Sequence, residues 1–461
     1  MNSNFWSRRI EIFFRIIIVI IASLFLASLV YMGAFALPTW DDLEWNAGIT
    51  NATYLETALR WYSNMSGRYV FGFVMAAVVR IPGFVEGVPW LVPLGIVLWM
   101  LSSFALVRTF LPQAGIIKSA ALALVFCFFE VLCLPNIKHT FFWIAGLINI
   151  ALPMVAFKFL LACCASLFFR DEQRSGWRLT VVNCFAIFFI IIAVGSYEPL
   201  SIVILSLLAT VIFRLCNFHG GLTVIPRHIR IPLFTITVVA LIGFILLLSP
   251  GNAYRVDHHL EGQVRTPANL ARAYLINTVE TINNMSGKLI CFLAALTLGM
   301  YLKKTDSRNE VISSDFMTHD ISNVQSLGLI FFNLILSILL FILLKTYIFG
   351  VGGSGERIAT PLYMLAFYSC FLAGFLLRGL SWPPWLPVSP YLCLFGGFLL
   401  ISYCCFHSLM GVTQAAHTSS WHRIFLEHRR KSGDLTRDGV WKIKDIPYHK
   451  YLMISGPGGK Y

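Results

Sequence analysis

The feature that most constrains this chain is a succession of apolar runs long enough to cross a bilayer. The first, Ile16 to Leu37, carries no charge. About twenty consecutive apolar residues suffice to span the hydrocarbon layer. Eleven spans are expected, at roughly 16–37, 90–108, 117–134, 147–169, 179–196, 199–214, 231–249, 288–302, 325–349, 358–378 and 390–410. The fold class is therefore an all-α polytopic membrane protein. Its transmembrane domain, 1–410, includes a first outer loop, 38–89, with loop helices, and a small segment, 411–461, follows. The composition agrees: 57% of residues are hydrophobic and 12% charged, half the charged content of a soluble domain.

Basic residues set the orientation. Arg8, Arg9 and Arg15 hold the N-terminus in the cytoplasm, and alternation then gives basic cytoplasmic loops around Arg108, Arg170, Arg214, Lys303 and Arg378. The stretch 67–84 is apolar enough to be a short span, but as a span it would turn every later basic loop outward. It is therefore expected on the membrane surface or re-entrant, with a polar-faced helix over 51–66 just before it. The tail carries nine Lys and Arg yet lies outside; its "VWKIKDIPYHKYLMI" alternates as strands do. The formal charge of +13 is membrane-adjacent, and no nucleic-acid partner is expected. All eleven cysteines fall within apolar runs, which argues against a disulfide framework or a zinc site.

With that orientation the polar residues gather on the outer face. They lie in "TWDDLEW" (39–45), "SGRY" (66–69), "NIKHTFFW" (136–143), "GSYEPL" (195–200), "SPGNAYRVDHH" (249–259) and "KTYIFGVGGSGERIATP" (345–361). The candidates are Asp41, Asp42 and Glu44 in the first loop, with Arg68, His139, Glu198, Asn252, Arg255, Lys345 and Arg357 beyond it. Glu198 sits between two spans with almost no loop, at a depth where an unpaired carboxylate is costly. Lys345 can snorkel outward or present a cation to a phosphate. Lys158 lies deep in the fourth span, with no role evident from the sequence. Carboxylates beside several cations suit transfer from a phosphate leaving group: one acid takes a proton from an acceptor hydroxyl while cations hold the phosphate. The metal is unknown; Asp41 and Asp42 are compatible with a divalent cation, and equally with metal-free transfer.

These stretches carry a resemblance. "DDLEW", "WYSNMSGRY", "TFFWIAGLINIALP", "GSYEPL", "SPGNAYR" and "GERIATP", in that order, resemble bacterial multi-span glycosyltransferases of the GT-C superfamily. The most similar are the O-antigen-modifying glucosyltransferases of the phage-borne serotype-conversion type. The resemblance implies an inner-membrane enzyme working at the periplasmic face. It would move a sugar, often glucose, from undecaprenyl phosphate to O-antigen, lipopolysaccharide or another surface glycan, with inversion. It also implies that Asp41 or Asp42 is the base. The chain departs from the family pattern at Leu43, which precedes Trp45, and at Tyr197, where relatives have a His before the glutamate. Two alternatives stay open: an O-antigen polymerase or ligase, and a flippase or transporter of a lipid-linked sugar.

Overall fold

The computed structural model describes residues 3–36, 38, 42, 53–64, 67–84, 88–112, 114–168, 176–219, 221, 224–247, 266–306, 323–349 and 359–377. All regular structure among them is helical. Among the described residues, seven helices are long and apolar enough to cross a membrane. They belong to α1 (Ser3–Gly33), α4 (Leu91–Phe110), α5 (Ile116–Cys133), α6 (Leu152–Phe168) with its preceding segment, α7 (Gly176–Ser196), α8 (Glu198–His219) and α9 (Arg227–Leu247). These match the first seven expected spans. The remaining described helices are α2 (Tyr54–Asn64), α3 (Tyr69–Val78), α10 (Pro267–Ser286), α11 (Leu289–Asp306), α12 (Asn323–Phe349) and α13 (Thr360–Leu377).

Counting α10 and α11, bent by 59° at their joint, as one span gives eight. The apolar stretches of α12 and α13, Leu327–Leu343 and Thr360–Gly374, are shorter. The expected span at 390–410, the strands of the tail and the segment 411–461 lie outside the described residues. So do Asp41, Glu44, Asn252, Arg255 and Arg357.

Two elements sit where apolar content alone misleads. Helix α3 has ten residues, about 15 Å of rise against a hydrocarbon layer of about 30 Å. It packs against the bundle with Phe71, Gly72, Met75, Ala76 and Val78 buried. Helix α2 occupies the expected polar-faced stretch. Thr53 and Glu56 open it with a reciprocal capping box: the Thr53 N–H and hydroxyl donate to Glu56 Oε2 at 2.8 and 2.9 Å, and the Glu56 N–H donates to Thr53 Oγ1 at 3.3 Å. Such pairs satisfy two orphan donors of the first turn. The bonds from Thr53 hold the Glu56 carboxyl below its ordinary value.

Helix α13 is the core element. Nearly every residue from Ala359 to Ala373 is buried, as expected of a helix apolar all round. It packs on α5, α8, α11 and α12. Its closest crossing is with α11, where a Cβ on Gly374 would collide with the Leu296 carbonyl. Only glycine permits that approach. The outward face of the bundle carries large apolar side chains, among them Leu24, Leu101, Phe185, Phe234 and Ile245. A soluble surface would not present so many; a lipid-facing one does. Eight cysteines are described and all are free.

Candidate functional site

Contacts identify one end of the bundle as the meeting place of four described candidates, Asp42, Arg68, His139 and Glu198. The close of α1 meets the start of α4, where a Cβ on Gly33 would lie 2.8 Å from Val92 Cγ1. The Cys133 thiol at the end of α5 is 3.7 Å from the Tyr363 carbonyl near the start of α13. Lys288 Nζ, at the start of α11, donates to the Leu132 carbonyl at 3.0 Å. Tyr62 of α2 donates its hydroxyl proton to the Leu246 carbonyl, at the end of α9, at 3.0 Å.

At this end the chain from Lys138 to Ala151 leaves regular α-helix. Two π-helical turns, Lys138–Phe142 and Leu147–Ala151, flank one α turn, Ile144–Gly146. Asn136 starts the segment: its Oδ1 accepts from the His139 N–H at 2.9 Å and its carbonyl from the Thr140 hydroxyl at 2.8 Å. Gly146 lets the His139 carbonyl pass where a Cβ would clash. Non-α turns of this kind re-aim side chains and backbone donors.

Asp42 uses one of those donors. It is fully buried, and its Oδ1 accepts from the Ala145 N–H at 2.8 Å. Asp42 is thus pinned to the irregular segment. The same segment presents Ile144, Ala145 and Ile148 to a small core with Phe71, Met75 and Val78 of α3. Helix α3 in turn is keyed into the bundle by Tyr69. A Cβ on Gly195 of α7 would lie 2.5 Å from its ring, and one on Gly243 of α9 would lie 2.9 Å from its hydroxyl. Burial pushes the Tyr69 hydroxyl up to about 12, with Tyr62 adding to the effect.

Just before α3, Arg68 reaches the α7–α8 junction. Its Nε donates to Glu198 Oε2 at 2.6 Å, and both side chains are about nine-tenths buried. The guanidinium also lies over the Tyr197 ring, 5.6 Å from its centroid. The pairing explains how a carboxylate is tolerated between two spans: a charged, hydrogen-bonded partner offsets its desolvation. Two oxygens in these elements, Asn149 Oδ1 and Ser196 Oγ, are buried with no hydrogen-bond partner among the described residues. His139 stands edge-on to Trp143, ring centroids 6.0 Å apart, and burial lowers the Lys138 ammonium below its ordinary value.

Of the described candidates, Arg68 and Glu198 touch directly, and Asp42 and His139 meet the same irregular segment. Lys345 has a different partner. It is 3% exposed and donates to Glu280 Oε2 of α10 at 2.7 Å. Neither snorkelling nor a bare cation describes it. Among the described residues no three His, Cys, Asp or Glu side chains form a metal-holding group.

A second buried ion pair, only one member of which stands out in the sequence, lies deeper. Glu130 and Lys158 are both fully buried and paired at 3.0 Å. Glu130 Oε2 also accepts from Trp99 Nε1 at 3.1 Å and Ser103 Oγ at 2.6 Å, while Oε1 accepts from the Tyr368 hydroxyl at 2.7 Å. Lys158 donates further to the Trp99 carbonyl and Ser103 Oγ at 3.0 and 2.8 Å. All three ammonium protons are therefore used. The network ties α4, α5, α6 and α13 together, and the Trp99 ring meets Phe141 of the irregular segment edge-on, with centroids 5.2 Å apart. A lone glutamate in "LVFCFFEVLCL" and a lone lysine in the next span are the signal for it, since opposite charges in neighbouring spans must pair.

Comparison with known protein families, curated proteins and solved structures finds no match for this chain.

Proposed function

We propose that the chain is a membrane glycosyltransferase that moves a sugar from an undecaprenyl-phosphate carrier to a surface glycan, at the periplasmic face of the bacterial inner membrane. The observation that supports this best is the convergence, at one end of the bundle, of the Asp42 loop, the irregular segment and the buried Arg68–Glu198 pair. Transfer from a lipid phosphate needs a base for the acceptor hydroxyl and a water-poor, polar surround in which fixed dipoles act strongly. Asn149 Oδ1 and Ser196 Oγ supply hydrogen-bonding capacity that sugar hydroxyls would satisfy. In-line attack by one activated hydroxyl inverts the anomeric centre.

The burial of Asp42 supports a division of labour between the two aspartates. A fully buried carboxylate held by a backbone N–H suits an anchor. Its neighbour Asp41 is then the group that takes the proton, with Asp42 holding the loop to Ala145. Replacing each by Asn tests this division. Asp41→Asn removes the base and costs on the order of 10²–10⁴-fold in glycan modification, the usual worth of a general base. Asp42→Asn keeps an oxygen that can accept from Ala145 and retains most activity. Full activity in Asp41→Asn contradicts the assignment.

The flippase alternative draws on the Glu130–Lys158 pair, since buried ionisable residues mark transport paths. Here every ammonium proton has an acceptor, which favours a structural tie.

A further inference from the structure

Helix α10 falls in the stretch expected to be an outer loop between two spans, and its polarity is inside out. Ala273, Asn277 and Thr281, spaced by four, form its buried face; Leu275, Ile276, Val279 and Ile282 form its exposed one, with Val279 68% and Leu275 65% accessible. The buried face makes polar contacts with α12. Asn277 Nδ2 donates to Thr346 Oγ1 at 3.0 Å, and Glu280 accepts from Lys345. A loop helix in water would turn the apolar stripe inward. Beside the stripe runs a groove of about 460 Å³ between α10 and α12, lined by Leu270, Ala271, Tyr274, Leu275, Leu343 and Thr346. The side chains around it are almost wholly apolar.

The ends of the helix fix its depth. Lys288, just beyond α10, is tied to the Leu132 carbonyl at the end of α5, so the joint lies at the end of the bundle. The 59° bend there turns α10 away from the axis of α11. The exposed apolar residues are bracketed by exposed polar ones, Asn269 and Arg272 before and Asn283 and Ser286 after. A helix with one apolar face, polar ends and a sharp bend from α11 has the form of one lying in the membrane interface.

We propose that α10 is an interfacial helix, with its 275/276/279/282 face and the α10–α12 groove occupied by membrane phospholipid acyl chains. Arg272 stands at headgroup level, and the Glu280–Lys345 pair closes the protein side. This occupant follows from the almost wholly apolar lining of the groove among the described residues and from the reversed polarity of the helix; it stands whether or not the chain is a glycosyltransferase.

The test uses the full chain in vesicles of phosphatidylethanolamine and phosphatidylglycerol. Val279→Cys and Asn269→Cys carry an environment-sensitive fluorophore, with wild-type labelling as the background for native cysteines. With brominated acyl chains, the probe at 279 is expected to be blue-shifted and quenched severalfold more than the probe at 269. A water-like, unquenched probe at 279 would make α10 an aqueous loop helix and overturn the proposal. A blue-shifted but unquenched probe would overturn it too, by showing the face covered by protein, either a second copy or residues 390–410.

Discussion

At the residue scale, the fold around the candidate site depends on two glycines that admit one tyrosine. Tyr69 keys α3 against Gly195 and Gly243, and α3 carries Arg68 to Glu198. A methyl on Gly195 has no room, because it would lie 2.5 Å from the Tyr69 ring and 2.6 Å from Val70 Cγ2. Overpacking of this kind costs about 1–3 kcal/mol. Gly195→Ala is therefore expected to lower both thermal stability and activity, and trimming Tyr69 to Leu in the same chain should restore part of the stability. Unchanged melting of Gly195→Ala would place Tyr69 elsewhere. The same tyrosine gives a pH signature. Its hydroxyl is raised from 10 to about 12 by burial, so the folded chain holds that proton more tightly than the unfolded one. The stability gained is complete below pH 10 and is lost as pH rises towards 12. Tyr69→Phe should flatten stability over that window, which alkaline melting curves would measure.

At the element scale, the sharpest prediction concerns the tie between α4, α5, α6 and α13. Removing one partner of a buried pair leaves an uncompensated charge and costs about 3–5 kcal/mol, whereas replacing both by apolar residues of similar size is often neutral. Lys158→Met and Glu130→Leu should each lower the folded yield in detergent, and the double variant should recover it. Failure of the double variant to recover would mean that the charges do more than hold helices. The spans up to Leu247 were legible because a run of eighteen or more apolar residues has few alternatives in water or lipid. Three elements were not. Residues 138–151 pass from the polar "KHT" into the apolar start of a span, and hydropathy does not register that two of their turns are π-helical. Helix α10 mixes Asn, Thr and Glu with Leu, Ile and Val, which reads as a loop unless one knows that its polar face is buried. The charge ladder was half legible: Lys158 stood out and Glu130 did not, although each is the other's explanation. In the site, "SGRY" and "GSYEPL" were singled out separately. Their union as an ion pair across 130 positions is a tertiary fact that no local pattern carries.

At the scale of the whole molecule, the described residues are distributed unevenly along the bundle axis. One end collects Asp42, His139, Arg68 and Glu198, while a saturated ion-pair network sits roughly two turns inside: Trp99 and Tyr368 lie eight residues in from Leu91 and Thr360, about 12 Å of helix rise. An enzyme that meets a lipid-borne substrate at the membrane surface needs this plan: a stapled bundle below and a buried polar site at its rim. A transporter would instead need its charges to change partners as the two sides open in turn. The central claim is that the rim transfers a sugar, and the most direct measurement is the mass and linkage analysis of the surface glycan from cells with and without this gene. The account predicts one added sugar residue per modified unit, present only with the gene and linked with inversion relative to the donor. An unchanged set of sugars with an altered glycan chain length, or no change at all, would contradict it.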